Sequence, residues 1–248
     1  MCLIVLAWRA RADLPLAVAA NRDEWRDRPA EPARWWPDSP GLLAGRDLKA
    51  GGTWMGLTRS GRFAAVTNFR DPADKRSTAL SRGALVTDFL LSAESPRAFL
   101  ERLRGRARDY NGFNLILGDA AGIYWFSNRA GADPRNGKPL EPGIYGVSNG
   151  LLDAPWPKVV RTKATFASLL LQGAPEEAYF EMLADTTRAP DMRLPDTGVP
   201  LDLERELSAV CIEIPGYGTR TSTVVKVYAD AEPELHERVL KPGDQVTG

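Results

Sequence analysis

Histidine and cysteine are scarce in this chain, which has one histidine and two cysteines among 248 residues. A Ser/His/Asp or Cys/His arrangement needs an imidazole, and only His236, between Glu234 and Glu237, offers one. The same scarcity argues against a histidine-rich metal site. Cys2 and Cys211 lie far apart without CxxC spacing, so neither a disulfide framework nor a zinc knuckle is indicated. If the protein is a hydrolase, we expect its general base to be something other than histidine.

The chain also lacks an excess of charge of either sign and any long hydrophobic run. Its 32 basic and 32 acidic side chains cancel, so the basic footprint of a nucleic-acid-binding protein is missing. The arginines between residues 97 and 108 are interleaved with acidic residues and fit the solvated face of a helix. The apolar run at residues 3–8 has no basic segment before it and is too short for a signal peptide or a membrane span. We therefore expect a cytoplasmic protein with no nucleic-acid partner and no integral membrane segment.

The residues that are present fit one domain over residues 1–248, with 44% hydrophobic and 26% charged side chains. Helical spacing predicts helices at 80–90, 96–103, 157–171 and 175–184, and prolines predict loops at 29–40 and 190–200. Strands alternate in blocks with these helices, which predicts an α+β fold of two sheets with helices outside. The predicted strands are residues 2–8, 16–20, 53–57, 63–68, 113–117, 123–126, 144–149, 208–214 and 221–228.

Cys2 directly follows the start methionine, and cysteine is small enough for Met1 to be trimmed. Trimming would leave one residue with a thiol of pKa about 8.5 and an α-amine of pKa about 7.7–8.0. The amine can then take the thiol proton, which is the activation used by N-terminal nucleophile enzymes. The alternative is that Cys2 is simply a small apolar start to a strand.

Polar residues end several of the predicted strands, at Asn21-Arg22-Asp23, Asn68 and Asn149. Strand ends present side chains to a cleft, and Arg220 lies close to the start of the last predicted strand. The alternative is local turn chemistry, for which Asn and Asp are favoured in any case. The combination of three such clusters with a terminal cysteine favours a functional site.

Six blocks of the sequence together resemble one known family. They are Met1-Cys2-Leu3-Ile4, Asn21-Arg22-Asp23-Glu24, Gly51-Gly52-Thr53-Trp54, Thr67-Asn68-Phe69-Arg70, Gly146-Val147-Ser148-Asn149 and the run from Tyr217 to Thr223. The blocks resemble the NRDE family of transport-and-Golgi-organisation homologues, which is named after the motif at residues 21–24. That family in turn resembles N-terminal-nucleophile amidases such as bile-salt and penicillin V hydrolases. The resemblance implies a four-layer αββα fold and cleavage of linear amide or related acyl bonds.

The resemblance implies a role for each matching residue. Cys2 would be the nucleophile, with its own α-amine as the base. Arg22 would lie beside the thiol and favour the thiolate. Asn68 would donate a backbone N–H, and Asn149 a side-chain amide, to an oxyanion, where one donor contributes about 10²–10³ in rate. Arg220 matches the late arginine of the amidase site.

Asp23 is the nearest match to the aspartate that holds the terminal amine. It directly follows Arg22, whereas the amidases separate the two residues, and neighbours on a strand point to opposite faces. Both side chains can face Cys2 only if the strand breaks at Arg22. Asp23 could instead form a structural salt bridge with Arg26 or Arg28.

Three functions compete. The first is hydrolysis of a small-molecule amide or acyl substrate, which requires no cofactor. The second, implied by the family resemblance alone, is a non-catalytic carrier related to haem or lipid trafficking; haem would then be a ligand, although no pair of axial ligands stands out. The third is a structural interaction module. The sequence leaves the oligomeric state open.

The first function predicts that the mature protein lacks Met1 and that Cys2 is reactive. Intact-mass spectrometry before and after iodoacetamide should show the loss of one methionine and the addition of one carbamidomethyl group at Cys2. Retention of Met1 would rule out the α-amine as the base.

Overall fold

The computed structural model describes residues 3–73 and 76–240 and contains two six-stranded antiparallel sheets. The first sheet has the order β10-β11-β2-β1-β9, with β12 also paired to β11, and the second runs β3 to β8 in chain order. The strands are β1 (Leu3–Trp8), β2 (Leu16–Trp25), β3 (Ala30–Trp36), β4 (Ser39–Asp47), β5 (Met55–Thr58), β6 (Phe63–Asn68), β7 (Phe113–Gly118), β8 (Ile123–Ser127), β9 (Gly143–Val147), β10 (Glu213–Ile214), β11 (Tyr217–Val227) and β12 (Glu234–Val239). The helices are α1 (Gly83–Leu91), α2 (Pro96–Arg104), α3 (Pro157–Gln172), α4 (Glu176–Leu183) and α5 (Leu201–Leu207).

The central strand β1 is buried on both of its faces. Its even-numbered residues, such as Ile4 and Leu6, pack with the second sheet, where Trp125 and Phe63 complete the core between the sheets. Its odd-numbered residues pack outward, and Val5 meets the helix residues of α3 and α4. A strand covered on both faces is apolar throughout rather than alternating, as the sequence of residues 3–8 is.

Helices cover the outer face of each sheet and complete four layers. Helices α3 and α4 pack on the first sheet, and α1 and α2 pack on the second. Helix α2 begins as its sequence predicts, because the Ser95 hydroxyl accepts the Ala98 N–H at 3.2 Å and Pro96 occupies the first turn. The α+β class and the αββα layering are therefore confirmed.

Five parts of the chain differ from the sequence-based expectation. Residues 29–40, predicted as a loop, form β3 and the start of β4, since the edge position of β3 tolerates the proline at residue 32. Strand β2 continues through the polar residues 21–25. Helix α5 and strand β12 are additions, and only Glu213–Ile214 of the stretch 208–214 is a strand.

Three successive carbonyl groups after β9 accept hydrogen bonds from the second sheet and its extension. The Thr67 hydroxyl donates to Ser148 O at 2.7 Å, and the Arg70 N–H donates to Asn149 O at 2.7 Å. The Asn114 amide donates to Gly150 O at 2.8 Å. Such buried backbone groups need partners, and these bonds fix residues 148–150 against the end of β6 and against β7. We call this set the carbonyl clamp.

Asn114 is the most connected member of the clamp, and replacing it tests the clamp. Its amide also donates to Thr67 Oγ1 at 3.1 Å, and its oxygen accepts the Trp125 indole N–H at 3.2 Å. Asn114→Ala leaves several buried polar groups without partners, so we expect a loss of about 2–4 kcal/mol in unfolding free energy. Urea denaturation measures this loss. The exposed carboxamide of Gln172, which bonds Ser168 at 2.9 Å, is the control, and Gln172→Ala should change stability by less than about 0.5 kcal/mol.

Candidate active site

The predicted site residues gather around the N-terminal end of β1, with one exception that the structure does not describe. Cys2 lies outside the described residues, which begin at Leu3. Leu3 pairs with Asn21 of β2, and the next residue, Ile4, pairs with Val147 of β9. Arg22 and Asn149 follow these partners closely in the chain, so the two flanking strands deliver them to the same end of the sheet.

Arg22 is a buried cation on the face that meets the second sheet. Its side chain is 3% exposed and its guanidinium lies 4.2 Å from the centre of the Trp54 ring. Glu24 is its ion-pair partner at 3.8 Å. Burial lowers the pKa of Arg22, and the carboxylate of Glu24 acts in the opposite direction. Arginine stays protonated in proteins, so the site holds a fixed positive charge stacked on an aromatic ring.

Asp23 points to the opposite face, as expected for adjacent residues of an unbroken strand. Its carboxylate accepts a hydrogen bond from the Thr219 hydroxyl at 2.6 Å. The same hydroxyl oxygen accepts the Ile212 N–H at 2.8 Å. The alternative partners behave differently: Arg28 pairs with Asp47 at 2.7 Å, and Arg26 donates to the Thr219 carbonyl at 3.4 Å. The strand therefore does not break at Arg22.

Asn68 and Asn149 meet directly across the two sheets. The Asn149 Nδ2 donates to the Asn68 carbonyl at 2.8 Å. Asn149 is buried, while Asn68 is exposed at the end of β6. Both residues line a pocket of about 260 Å³. Its other lining residues are Phe69, Arg70, Asp71, Pro72, Arg82, Asn111, Gly112, Leu207 and Tyr217.

Arg220 is the extra residue of a bulge in β11. Thr219 pairs with Asp23 and Thr221 pairs with Arg22, so no residue of β2 stands opposite Arg220. Its guanidinium donates to the carbonyls of Trp25, at 3.0 Å, and Arg28, at 2.6 Å. Arg220 therefore stabilises the chain at the end of β2. Its positive charge also helps to lower the pKa of Arg22, after the larger effect of burial.

Residues without a predicted role complete the site. Arg70 pairs with Glu204 of α5 at 2.7 Å, and both side chains are largely buried. Trp54 supplies the aromatic surface under Arg22. Arg70 belongs to the same sequence block as Asn68, so the sequence offered a reason to include it in the site. The sequence offered no reason to include Glu204, because helix α5 was not predicted.

The lone histidine and the second cysteine lie elsewhere. His236 is on the helix-covered side of β12, where its Nδ1 is 3.1 Å from Glu176 of α4. Cys211 is buried, and burial raises the pKa of its thiol. Across residues 3–73 and 76–240, no group of three His, Cys, Asp or Glu side chains is arranged to hold a metal ion. In the same part of the chain, every helix is too short or too polar to cross a membrane.

Comparison with known proteins supplies the family. The family model described as Transport and Golgi organisation 2 matches residues 1–242. The chain belongs to this family. The bovine and human Transport and Golgi organization protein 2 homologs are each 36% identical to it over 246 residues, which span 92% of this chain and 88% of each relative. The mouse homolog is 32% identical over the same share of both chains.

The fold of this family member is shared with an amidase. The N-acylethanolamine-hydrolyzing acid amidase ortholog of Caenorhabditis elegans superposes with a TM-score of 0.51, covering 97% of this chain and all of the other. The sequences are only 9% identical, so the likeness concerns the fold alone. The shared architecture agrees with the four-layer fold that the sequence resemblance implied.

A half-buried carboxyl group interacts with Arg22, and its titration should be visible in the free energy of unfolding. Glu237 of β12 accepts the Ala33 N–H at 2.7 Å and lies within the field of Arg22. Burial raises the pKa of Glu237 above its usual 4.5, and the hydrogen bonds from Ala33 and Thr223 and the charge of Arg22 oppose this only in part. Because the native pKa is raised, the contribution of Glu237 to the free energy of unfolding is fully present below pH 4.5. This contribution is lost as the pH rises through the native pKa.

Glu237→Gln copies the protonated form, so we expect it to be more stable than the parent at neutral pH and equal to it in acid. Urea denaturation at pH 7 and pH 4 measures both, with the exposed Glu232→Gln as the control. A stability gain that persists unchanged at pH 4 would contradict the assignment.

Proposed function

We propose that this protein is a cysteine N-terminal-nucleophile hydrolase of linear amide or related acyl bonds. The single observation that carries the proposal is the register of the two ladders that flank β1. Leu3 pairs with Asn21, and Ile4 pairs with Val147. We propose that both ladders continue by one more residue toward the chain start, which would make position 2 the partner of Arg22 in one ladder and of Asn149 in the other.

Cross-strand partners have Cβ atoms about 4.5–5.5 Å apart on the same face. Position 2 has the parity of Ile4 and Leu6, which face the second sheet together with Trp54. The proposal therefore requires the Cys2 thiol to share the face of Arg22. A cation at that distance lowers a thiol pKa and raises the thiolate fraction at neutral pH.

The opposite orientation of Asp23 is compatible with its role in the amidases. A terminal amine belongs to the backbone, and at the end of a strand it can be approached from either face. Under the same proposed continuation, position 1 would be the partner of Asp23, on the side where the amine of a trimmed chain would lie. We propose that Asp23 binds this amine while Arg22 stabilises the thiolate on the other face. No strand break is then needed.

The reaction follows from these positions. The α-amine takes the thiol proton, and the thiolate attacks the substrate carbonyl carbon. The oxyanion that forms accepts hydrogen bonds from the Asn149 carboxamide and the Asn68 N–H. Cleavage of the C–N bond releases the amine product, which takes its proton from the α-ammonium group. Water, deprotonated by the α-amine, then hydrolyses the thioester to a carboxylic acid and restores the thiol.

The pocket beside Asn68 and Asn149 is where the proposal places part of the substrate. Its volume of about 260 Å³ suits a small group rather than a large ring system. Arg82 and Asn111 give its wall a polar character, and Tyr217 adds an aromatic edge. The fold shared with the worm amidase supports the architecture only, and the chemistry depends on the arrangement around position 2.

The rate of alkylation at Cys2 against pH tests the role of Arg22. Arg22→Met removes the cation, so the midpoint of iodoacetamide labelling should rise by about 1–3 pH units. Peptide mass spectrometry separates labelling at Cys2 from labelling at Cys211. Arg34→Met, at an exposed arginine paired with Glu31, is the control and should leave the midpoint unchanged. An unchanged midpoint in Arg22→Met would refute the proposed thiolate stabilisation.

A further inference from the structure

We propose that Arg70 is a positioning residue that fixes which end of the Asn149 carboxamide faces the reacting carbonyl group. The inference deepens the proposed hydrolase function and rests on it. Arg70 lies two residues beyond Asn68, just after β6, and lines the same pocket as Asn149. Its role is exerted through Asn149 rather than on the substrate.

Arg70 holds Asn149 at two points. Its backbone N–H donates to the Asn149 carbonyl at 2.7 Å, which fixes the main chain. Its guanidinium donates to Asn149 Oδ1 at 3.4 Å, a long bond that gains strength from the charge of the donor. On the other side of the carboxamide, Asn149 Nδ2 donates to the Asn68 carbonyl at 2.8 Å.

These contacts are compatible with only one orientation of the carboxamide. The oxygen and nitrogen ends of a carboxamide have almost the same shape but opposite hydrogen-bonding character. A half-turn would place Oδ1 against the Asn68 carbonyl oxygen and the NH₂ group against the Arg70 guanidinium, so both contacts would become repulsive. The observed orientation uses one N–H for Asn68 and leaves the second as the donor that an oxyanion requires.

The guanidinium of Arg70 is itself held in place. Its Nη1 bonds the Glu204 carboxylate at 2.7 Å, with the two side chains 11% and 4% exposed. The ring of Trp156 lies 4.9 Å from the guanidinium carbon. Glu204 also accepts the Thr197 N–H at 3.2 Å, which anchors the acid to the segment before α5. The planar guanidinium of Arg70 thus donates from two separate nitrogens to two acceptors, Glu204 and Asn149. A lysine ammonium is a single compact charge and cannot reproduce this geometry.

A pair of reactions at Cys2 separates positioning from folding. Alkylation by iodoacetamide displaces iodide and forms no oxyanion, whereas acylation by p-nitrophenyl acetate passes through a tetrahedral oxyanion and releases p-nitrophenolate. Arg70→Lys keeps the backbone N–H and a charge for Glu204, but loses the fork. We expect it to slow acylation by about 10–100-fold, less than loss of a whole oxyanion donor, and to leave the alkylation rate within about twofold.

Two comparisons make the effect specific. In an Asn149→Ala background, Arg70→Lys should cause no further loss of acylation, because residues acting through one another are not additive. Arg46→Lys is the matched control, since Arg46 pairs with Asp38 at 2.8 Å and stacks on Trp36 at 4.2 Å. It should acylate at the parent rate. Should Arg70→Lys fail to fold, Glu204→Gln, which removes the anchor of the guanidinium, should give the same pattern more weakly.

The outcomes distinguish the two levels of the proposal. Parent-like acylation by Arg70→Lys, an equal drop in the Asn149→Ala background, or a parallel loss of acylation and alkylation would each overturn the positioning role alone. A parent protein that is alkylated at Cys2 but releases no p-nitrophenolate overturns the hydrolase function. Parent-like acylation by Asn149→Ala alone overturns the oxyanion role of Asn149 and with it the inference.

Discussion

The carbonyl clamp is the constraint on which the site depends. Residues 148–150 follow the last residue of an edge strand, a position where a chain is free to leave the sheet. Hydrogen bonds to three successive carbonyls, from Thr67, Arg70 and Asn114, bind this segment to the opposite sheet instead. Buried carbonyls are costly to leave without partners, so the clamp fixes the two sheets relative to each other where Asn149 meets Asn68.

The two sheets that the carbonyl clamp joins supply different residues of the candidate site. The first sheet supplies Arg22 and Asp23, while the second sheet and the residues just after β6 supply Asn68 and the donors that hold Asn149. The cation of Arg22 lies between the sheets against Trp54. Asp23 lies on the helix-covered side and bonds Thr219. Adjacent residues of one strand thereby present a cation between the two sheets and a carboxylate on the helix-covered side.

The chain shares the architecture of an amidase through a likeness of fold, and the family membership rests on a much closer likeness of sequence. Fold and function are separable, so the chemistry has to be argued from the site. The scarcity of histidine matters here. His236 faces α4 on the outer side of the first sheet, and an acyl-transfer mechanism in this protein has to draw its base from another group. The proposed function assigns that role to the α-amine of a trimmed Cys2.

The sequence by itself predicted the layered α+β fold and most of its strands and helices, and it singled out Arg22, Asn68 and Asn149, which the structure brings to one end of β1. Local signals sufficed for these, such as the apolar run of β1 and the Ser95-Pro96 start of α2. Local signals failed to predict secondary structure where contacts with neighbouring strands override the propensity of the local sequence. Pro32 was compatible with a strand because β3 lies at a sheet edge.

Tertiary structure alone decided how the site residues are held. The bulge at Arg220 is seen only in the pairing of β11 with β2, and the partner of Arg70 comes from α5, 134 residues further along the chain. Neither pairing has a signature in the local sequence, since each depends on which segments the packed sheets bring together. The sequence thus names the groups at the site, and only the folded sheets determine their orientation.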